Sequence, residues 1–143
     1  MLALDLTDSG LLLARRRGET SEVLTEAPGI AFLGDDTTRT GEAAVERIRL
    51  NPLLAHTNFW RGLSTEDLTR PSRLARTTAD IAFAQAEQLL GPHKSDGESV
   101  LLAVPAGYSR EQLPLLLGVI NETGVRVSGL VDAALAACSL EPA

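Results

Sequence analysis

The run Ser99-Val100-Leu101-Leu102-Ala103-Val104 constrains this chain more than any other feature. Its apolar residues follow one another without alternation, between a polar stretch and Pro105. A strand that is apolar on both faces has to be covered on both, which puts it in the middle of a layered α/β sheet. Ser109 followed by Gln112 has the spacing of a capping box. A helix through Leu113, Leu116, Leu117 and Ile120 follows, with Gly124 as its C′ residue. Pro114 sits within the second turn, so the helix start falls later than Ser109. Val125 to Val131 reads as the next strand, after which Asp132 caps an Ala-rich helix, Ala133 to Cys138. Strand, helix and strand at this spacing form a βαβ unit with a right-handed crossover.

The first half of the chain reads as antiparallel. Leu2–Leu6 and Leu11–Ala14 form a hairpin around the turn formers Thr7-Asp8-Ser9-Gly10. Arg15-Arg16-Arg17-Gly18-Glu19 is a polar turn. Val23-Leu24 and Ile30–Leu33 are short strands separated by Pro28-Gly29, and Gly34-Asp35-Asp36 closes the unit. Glu42 to Leu50 is a short helix stopped by Asn51-Pro52. Leu53–Leu68 shows no clear period, and Phe59 and Trp60 are its core anchors. Thr78 or Asp80 caps a helix running to Leu90, stopped by Gly91-Pro92, and His93–Glu98 is a polar loop. The expected fold is a single α/β domain over residues 1–143, a mixed β-sheet flanked by helices. Aromatic residues are only 3% of the chain, so its core is built mainly from Leu, Val, Ile and Ala.

Thirteen Lys and Arg against nineteen Asp and Glu give a formal net charge of −6. That balance excludes a general nucleic-acid binder and an anionic membrane surface as partner, because both need a basic face. The apolar runs are too short to span a bilayer. Met1–Leu6 has no basic segment before it and is interrupted by Asp5, so it is no leader, and a cytoplasmic location is expected. The single cysteine, Cys138, reads as a small core residue. His56 and His93 read as surface or loop residues, and Arg15–Arg17 and the Arg70, Arg73, Arg76 group as solvated faces.

Three segments carry a resemblance. Leu4-Asp5-Leu6-Thr7-Asp8-Ser9 stands where a phosphate loop of the type D-L-G-T-T would stand. Thr40-Gly41-Glu42-Ala43-Ala44, continuing to Asn51-Pro52, is similar to a V-G-x-x-A…N-P stretch. Val104-Pro105-Ala106-Gly107-Tyr108-Ser109, the helix, Gly124-Val125 and Leu130-Val131-Asp132-Ala133-Ala134 are similar to a V-P-A…G-L…N-E-P-T-A-A-A run. Together they resemble the N-terminal lobe of DnaK-type heat-shock chaperones, in the actin-like ATPase superfamily. The resemblance implies a ribonuclease H-like lobe, with ATP and magnesium held between it and a second lobe. It assigns Asp5 to the hydrated metal and Thr7, Asp8, Ser9, Gly10 and Asp132 to the nucleotide. It also implies that this chain is a fragment or a very short relative, because the second phosphate loop and the adenosine-binding segment belong to the other lobe.

The chain departs from that pattern where the chemistry is concentrated. The loop glycine is Thr7 and the following hydroxyl residue is Asp8, whose carboxylate repels a triphosphate unless a metal intervenes. By ungapped matching, the family's lysine falls on Val45 and the glutamate of N-E-P on Ala133. Phosphoryl transfer depends on positioned charge, so no catalytic residue is assigned and no efficient hydrolysis is expected. Two readings follow: a nucleotide-binding lobe, inactive or weakly ATP-binding alone, or a pseudo-ATPase scaffold that kept the fold for protein interaction. Asp8 also reads as a plain turn former and Asp132 as a helix cap. Asp5 is less ordinary, because an unpartnered carboxylate inside an apolar strand is costly. A lobe lacking its partner would expose apolar surface and is expected to self-associate.

Overall fold

A computed structural model describes residues 1–7, 10–34, 36–69, 72–105 and 107–132, with Asp132 described by its backbone. The expected roles of Asp8, Ser9, Arg70, Ala133, the 133–138 helix and Cys138 lie outside the described residues.

The hairpin expected at the start is present. β1 (Leu2–Leu6) pairs antiparallel with β2 (Gly10–Arg17), with Leu2 opposite Arg15 and Leu6 opposite Leu11. β2 in turn pairs antiparallel with β3 (Thr20–Pro28). The three arginines are therefore strand residues, not a turn. The chain reverses at Gly18, whose φ of 63° suits glycine. β3 is nine residues long where only Val23-Leu24 was expected. Both differences have one cause. The outer ends of these strands project past the core into water, so polar side chains are tolerated there and hydrophobic pattern does not report the strand. Glu22 and Glu26 on β3 also suit an edge strand, since charge discourages pairing with a further chain.

Arg15 is not part of a solvated face. Its side chain is 15% exposed and its Nε lies 3.1 Å from Glu98 Oε1, with Asp96 Oδ2 3.4 Å from its Nη2. His93 Nδ1 lies 3.3 Å from the same carboxylate of Asp96. Arg15→Met keeps the apolar stem and removes the charge. It should lower stability by about 1 kcal/mol, and urea denaturation should show that loss shrinking at high salt.

β4 (Ile30–Phe32), β5 (Arg39–Thr40) and β6 (Ala55–Thr57) form a second, small antiparallel sheet in the order β5-β4-β6. Its companion helix is α1 (Glu42–Ile48), followed by a 3-10 turn over Pro52–Leu54. α2 (Thr78–Leu90) begins at a capping box in which Thr77 is the cap and Asp80 its reciprocal partner. A 3-10 turn over Gly91–Asp96 occupies the expected polar loop. Then come β7 (Val100–Val104), α3 (Gln112–Glu122) and β8 (Val127–Asp132). Ser109 and Gln112 exchange the two expected bonds, Ser109 N to Gln112 Oε1 at 2.9 Å and Gln112 N to Ser109 Oγ at 3.2 Å. Pro114 falls in the first turn of α3, where its missing N–H leaves no helical bond unmade.

The main sheet runs β3-β2-β1-β7-β8. β1 and β7 are parallel, as are β7 and β8, so the sheet is mixed. Leu2, Leu4 and Leu6, Leu11 and Leu13, and Val100, Leu102 and Val104 share one buried core with Ile81, Ala82, Leu89 and Leu90 of α2 and Leu116, Val119 and Ile120 of α3. Each such side chain contributes roughly 1.5–3 kcal/mol of burial. The alternation along β1 is strict, with Leu at every second position inside and Ala3 and Asp5 half-buried. Phe59 and Trp60 are 1% and 3% exposed, as expected of core anchors. Trp60 Nε1 donates to Gln85 Oε1 at 2.8 Å, and Gln85 Nε2 donates to the Pro28 carbonyl at 2.8 Å. This one side chain ties α2 to the end of β3 and to the Trp60 turn. Among the described residues no helix is long and apolar enough to cross a membrane.

Candidate functional site

Asp5 is the penultimate residue of β1, opposite Leu12 of β2 and Ala103 of β7. β1 continues into the hairpin and β7 into α3, so the two chains diverge from the same edge. In open α/β sheets a crevice forms where neighbouring connections leave the carboxyl ends in different directions. Asp5 stands at that edge. Its Oδ1 is buried and has no hydrogen-bond partner among the described residues. The in-register neighbours Leu12 and Ala103 are apolar, and burial raises the Asp5 pKa above its ordinary carboxylate value.

Thr7 and Gly10 close the hairpin, and they do so with their own polar groups. Thr7 N donates to the Gly10 carbonyl at 2.9 Å, and the Thr7 hydroxyl donates to the same oxygen at 2.8 Å. Gly10 N donates back to Thr7 Oγ1 at 3.1 Å. A glycine at position 7 would have no oxygen to accept that last bond. Thr7 therefore draws inward one of the backbone donors that the resemblance assigns to phosphate. Gly10 is needed for a separate reason: a Cβ there would lie 2.9 Å from the Ala27 carbonyl oxygen of β3.

Beside this turn is an open groove of about 390 Å³, lined by Thr7, Gly10, Leu12, Glu26, Pro28 and Glu42 among others. Glu26 is opposite Leu12, which is opposite Asp5, so all three stand in one row across the sheet. Glu26 and Glu42 were not among the expected site residues. No local signal marks them, because Glu26 reaches the groove only through strand register and Glu42 only through the turn at Gly41, whose φ is 67°. Asp132 ends β8 at the same edge of the sheet, opposite Val104. The row of Asp5 passes through Ala103 to Val131, one residue short of Asp132. The structure thus brings Asp5, Thr7, Gly10 and the backbone of Asp132 to one edge. Val45, in α1, belongs to the small-sheet unit.

Among the described residues, no three His, Cys, Asp or Glu side chains are grouped to hold a metal ion. Asp5 alone fits the role magnesium asks of a protein when it arrives with phosphates, one carboxylate beside several waters. No family model matches the chain, and no curated protein is significantly similar to it.

Proposed function

We propose that the chain is a nucleotide-binding lobe of a DnaK-type, chaperone-like ATPase with a ribonuclease H-like fold. In isolation it binds Mg-ATP weakly and does not hydrolyse it, and a second lobe or the rest of a longer chain completes the clamp. The observation that carries this reading is the buried Oδ1 of Asp5, without a hydrogen-bond partner among the described residues, at the carboxyl edge between β1 and β7. A desolvated carboxylate in that position is a net cost to folding, and a hydrated magnesium ion would offset it. The sheet order β3-β2-β1-β7-β8, with only β2 reversed against its β1, β3, β7 and β8 companions, supports the ribonuclease H-like assignment.

A second reading is favoured by a specific observation. The Thr7 hydroxyl occupies Gly10 N–H, and Glu26 and Glu42 line the adjoining groove. Both features oppose a triphosphate, as a pseudo-ATPase scaffold kept for protein interaction would allow. Calorimetric titration with Mg-ATP separates the two. Thr7→Gly combined with Asp8→Thr frees a donor and removes a charge, and should tighten binding at least roughly tenfold, or about 1.4 kcal/mol. Asp5→Asn in that background should abolish the gain. Absence of heat from the restored loop would leave the scaffold as the function.

A further inference from the structure

At the end of the sheet away from Asp5, three polar side chains meet in a triangle. Arg15, in β2, is opposite Leu2, whereas Asp5 is opposite Leu12. Arg15 Nη2 lies 3.3 Å from His93 Nδ1 and 3.4 Å from Asp96 Oδ2. His93 Nδ1 lies 3.3 Å from that same Asp96 oxygen. One ring nitrogen therefore faces a guanidinium, which can only donate, and a carboxylate, which can only accept. A nitrogen of a neutral imidazole either carries a proton or offers a lone pair, so Nδ1 serves one of these neighbours at a time. His93 and Asp96 belong to the 3-10 turn that joins α2 to β7, and Arg15 belongs to the sheet. The state of Nδ1 thus decides how that turn is fastened to β2.

Burial selects the arrangement for neutral His93. The Arg15 side chain is 15% exposed and that of Asp96 43%. Asp96 can turn a spare lone pair to water. Arg15 has five N–H donors, a permanent charge and little water to meet them. Its Nε lies 3.1 Å from Glu98 Oε1. Its Nη2 carries two hydrogens, one for Asp96 and one for the lone pair of His93 Nδ1. The proton of neutral His93 then sits on Nε2. Protonation reverses this. Nδ1 gains a hydrogen, ceases to accept from Arg15 and donates to Asp96 Oδ2. Arg15 and His93 now compete for one carboxylate, and Arg15 also has Glu98, whereas His93 has no further partner among the described residues. The other charges nearby are Lys94 of the same turn, whose stem lies beside Gly124, and the Met1 amine, 3.8 Å from Glu98 Oε2 beyond Arg15. Glu122 and Arg126, on the α3–β8 side, form no hydrogen bond or ion pair with His93. Histidine is the side chain whose charge ordinarily changes between about pH 5 and 8.

We infer that Arg15, His93 and Asp96 form a proton-operated latch on the connection between α2 and β7. With His93 neutral, Arg15 holds His93 and Asp96 together and ties the turn to β2. With His93 charged, the turn closes on itself through His93 and Asp96, and Arg15 keeps Glu98 alone. Acid therefore loosens the turn from the sheet without removing any charge from Arg15, Asp96 or Glu98. The latch lies at the opposite end of β1 from Asp5 and depends on neither nucleotide reading.

Two measurements on the whole chain test it. Ring-nitrogen shifts in ¹⁵N NMR report where the imidazole proton sits, with His56, the only other histidine, as an internal comparison. Neutral His93 should carry its proton on Nε2. In Arg15→Met the only group left facing Nδ1 is Asp96, so the proton should move to Nδ1. Amide hydrogen exchange of residues 94–97, corrected for its intrinsic pH dependence, reports the fastening. In the wild-type chain it should quicken roughly fivefold relative to β1 amides as His93 takes up its proton. Arg15→Met should show the quickened rate already at neutral pH. His93→Gln keeps a carbonyl that accepts from Arg15 and cannot be protonated, so it should stay slow throughout. The inference is overturned if neutral His93 carries its proton on Nδ1, or if Arg15→Met leaves the tautomer unchanged. It is equally overturned if wild type and His93→Gln exchange alike across the titration.

Discussion

Replacing Gln85 with leucine is expected to lower stability by about 2–4 kcal/mol, the sum of two orphaned polar groups less a small gain in apolar contact. Gln85 is 1% exposed and holds Trp60 Nε1 and the Pro28 carbonyl on opposite ends of one amide. Leucine fills similar space and satisfies neither. Denaturant midpoints with an unchanged slope will report the loss, and Trp60, the only tryptophan, reports it by fluorescence. Gln85→Glu sharpens the test. A protonated acid can still accept from Trp60 and donate to Pro28, whereas a carboxylate can only accept. The folded state therefore holds the proton more tightly than the unfolded one. Stability of that variant should be close to wild type in acid and fall as pH rises through the raised pKa of the new group. A variant that is equally stable at acid and neutral pH would show that the Pro28 bond contributes nothing.

Asp5 gives the opposite sign. Asp5→Val should raise stability by about 1–2 kcal/mol at neutral pH, because it replaces a desolvated carboxylate with a side chain that suits its neighbours Leu12 and Ala103. The gain should be confined to pH above the ordinary carboxylate range. Burial raises the Asp5 pKa in the folded state. Below the unfolded pKa the group is neutral in both states and carries no ionisation penalty. As pH rises from there through the raised folded value, the unfolded chain releases its proton first, and stability falls. The Val variant should lack that fall. Any affinity for Mg-ATP should disappear in the same variant, the usual conflict between a costly site and a stable fold. Equal pH profiles for the two chains would place the Asp5 carboxylate in water and remove the main support for the nucleotide reading.

Much of the architecture was legible in the residues. The unbroken apolar run at 100–104 became the parallel neighbour of β1, and the Ser109/Gln112 pair formed its two bonds. Gly91-Pro92 ended α2 and Gly124 took a left-handed φ of 89°. These signals succeed because each acts over a few residues, through dihedral preference or a local cap. The errors fell where polarity and position part company. Arg15–Arg17 looked like a turn and proved to be the end of a strand, with Arg15 drawn into contact with Glu98 and Asp96, more than eighty residues away.

The candidate site divides the same way. Asp5 was conspicuous as a carboxylate inside an apolar strand, and Thr7 to Gly10 as turn formers, so the sequence alone determined a hairpin with a charged residue near its tip. Tertiary structure decided the rest. It set β1 beside β7 and left Asp5 Oδ1 without a partner among the described residues, it turned the Thr7 hydroxyl onto Gly10, and it brought Glu26 and Glu42 to the same groove. Backbone preference and hydrophobic period are properties of a segment. Desolvation and charge proximity are properties of what lies across the fold, and no segment carries them by itself.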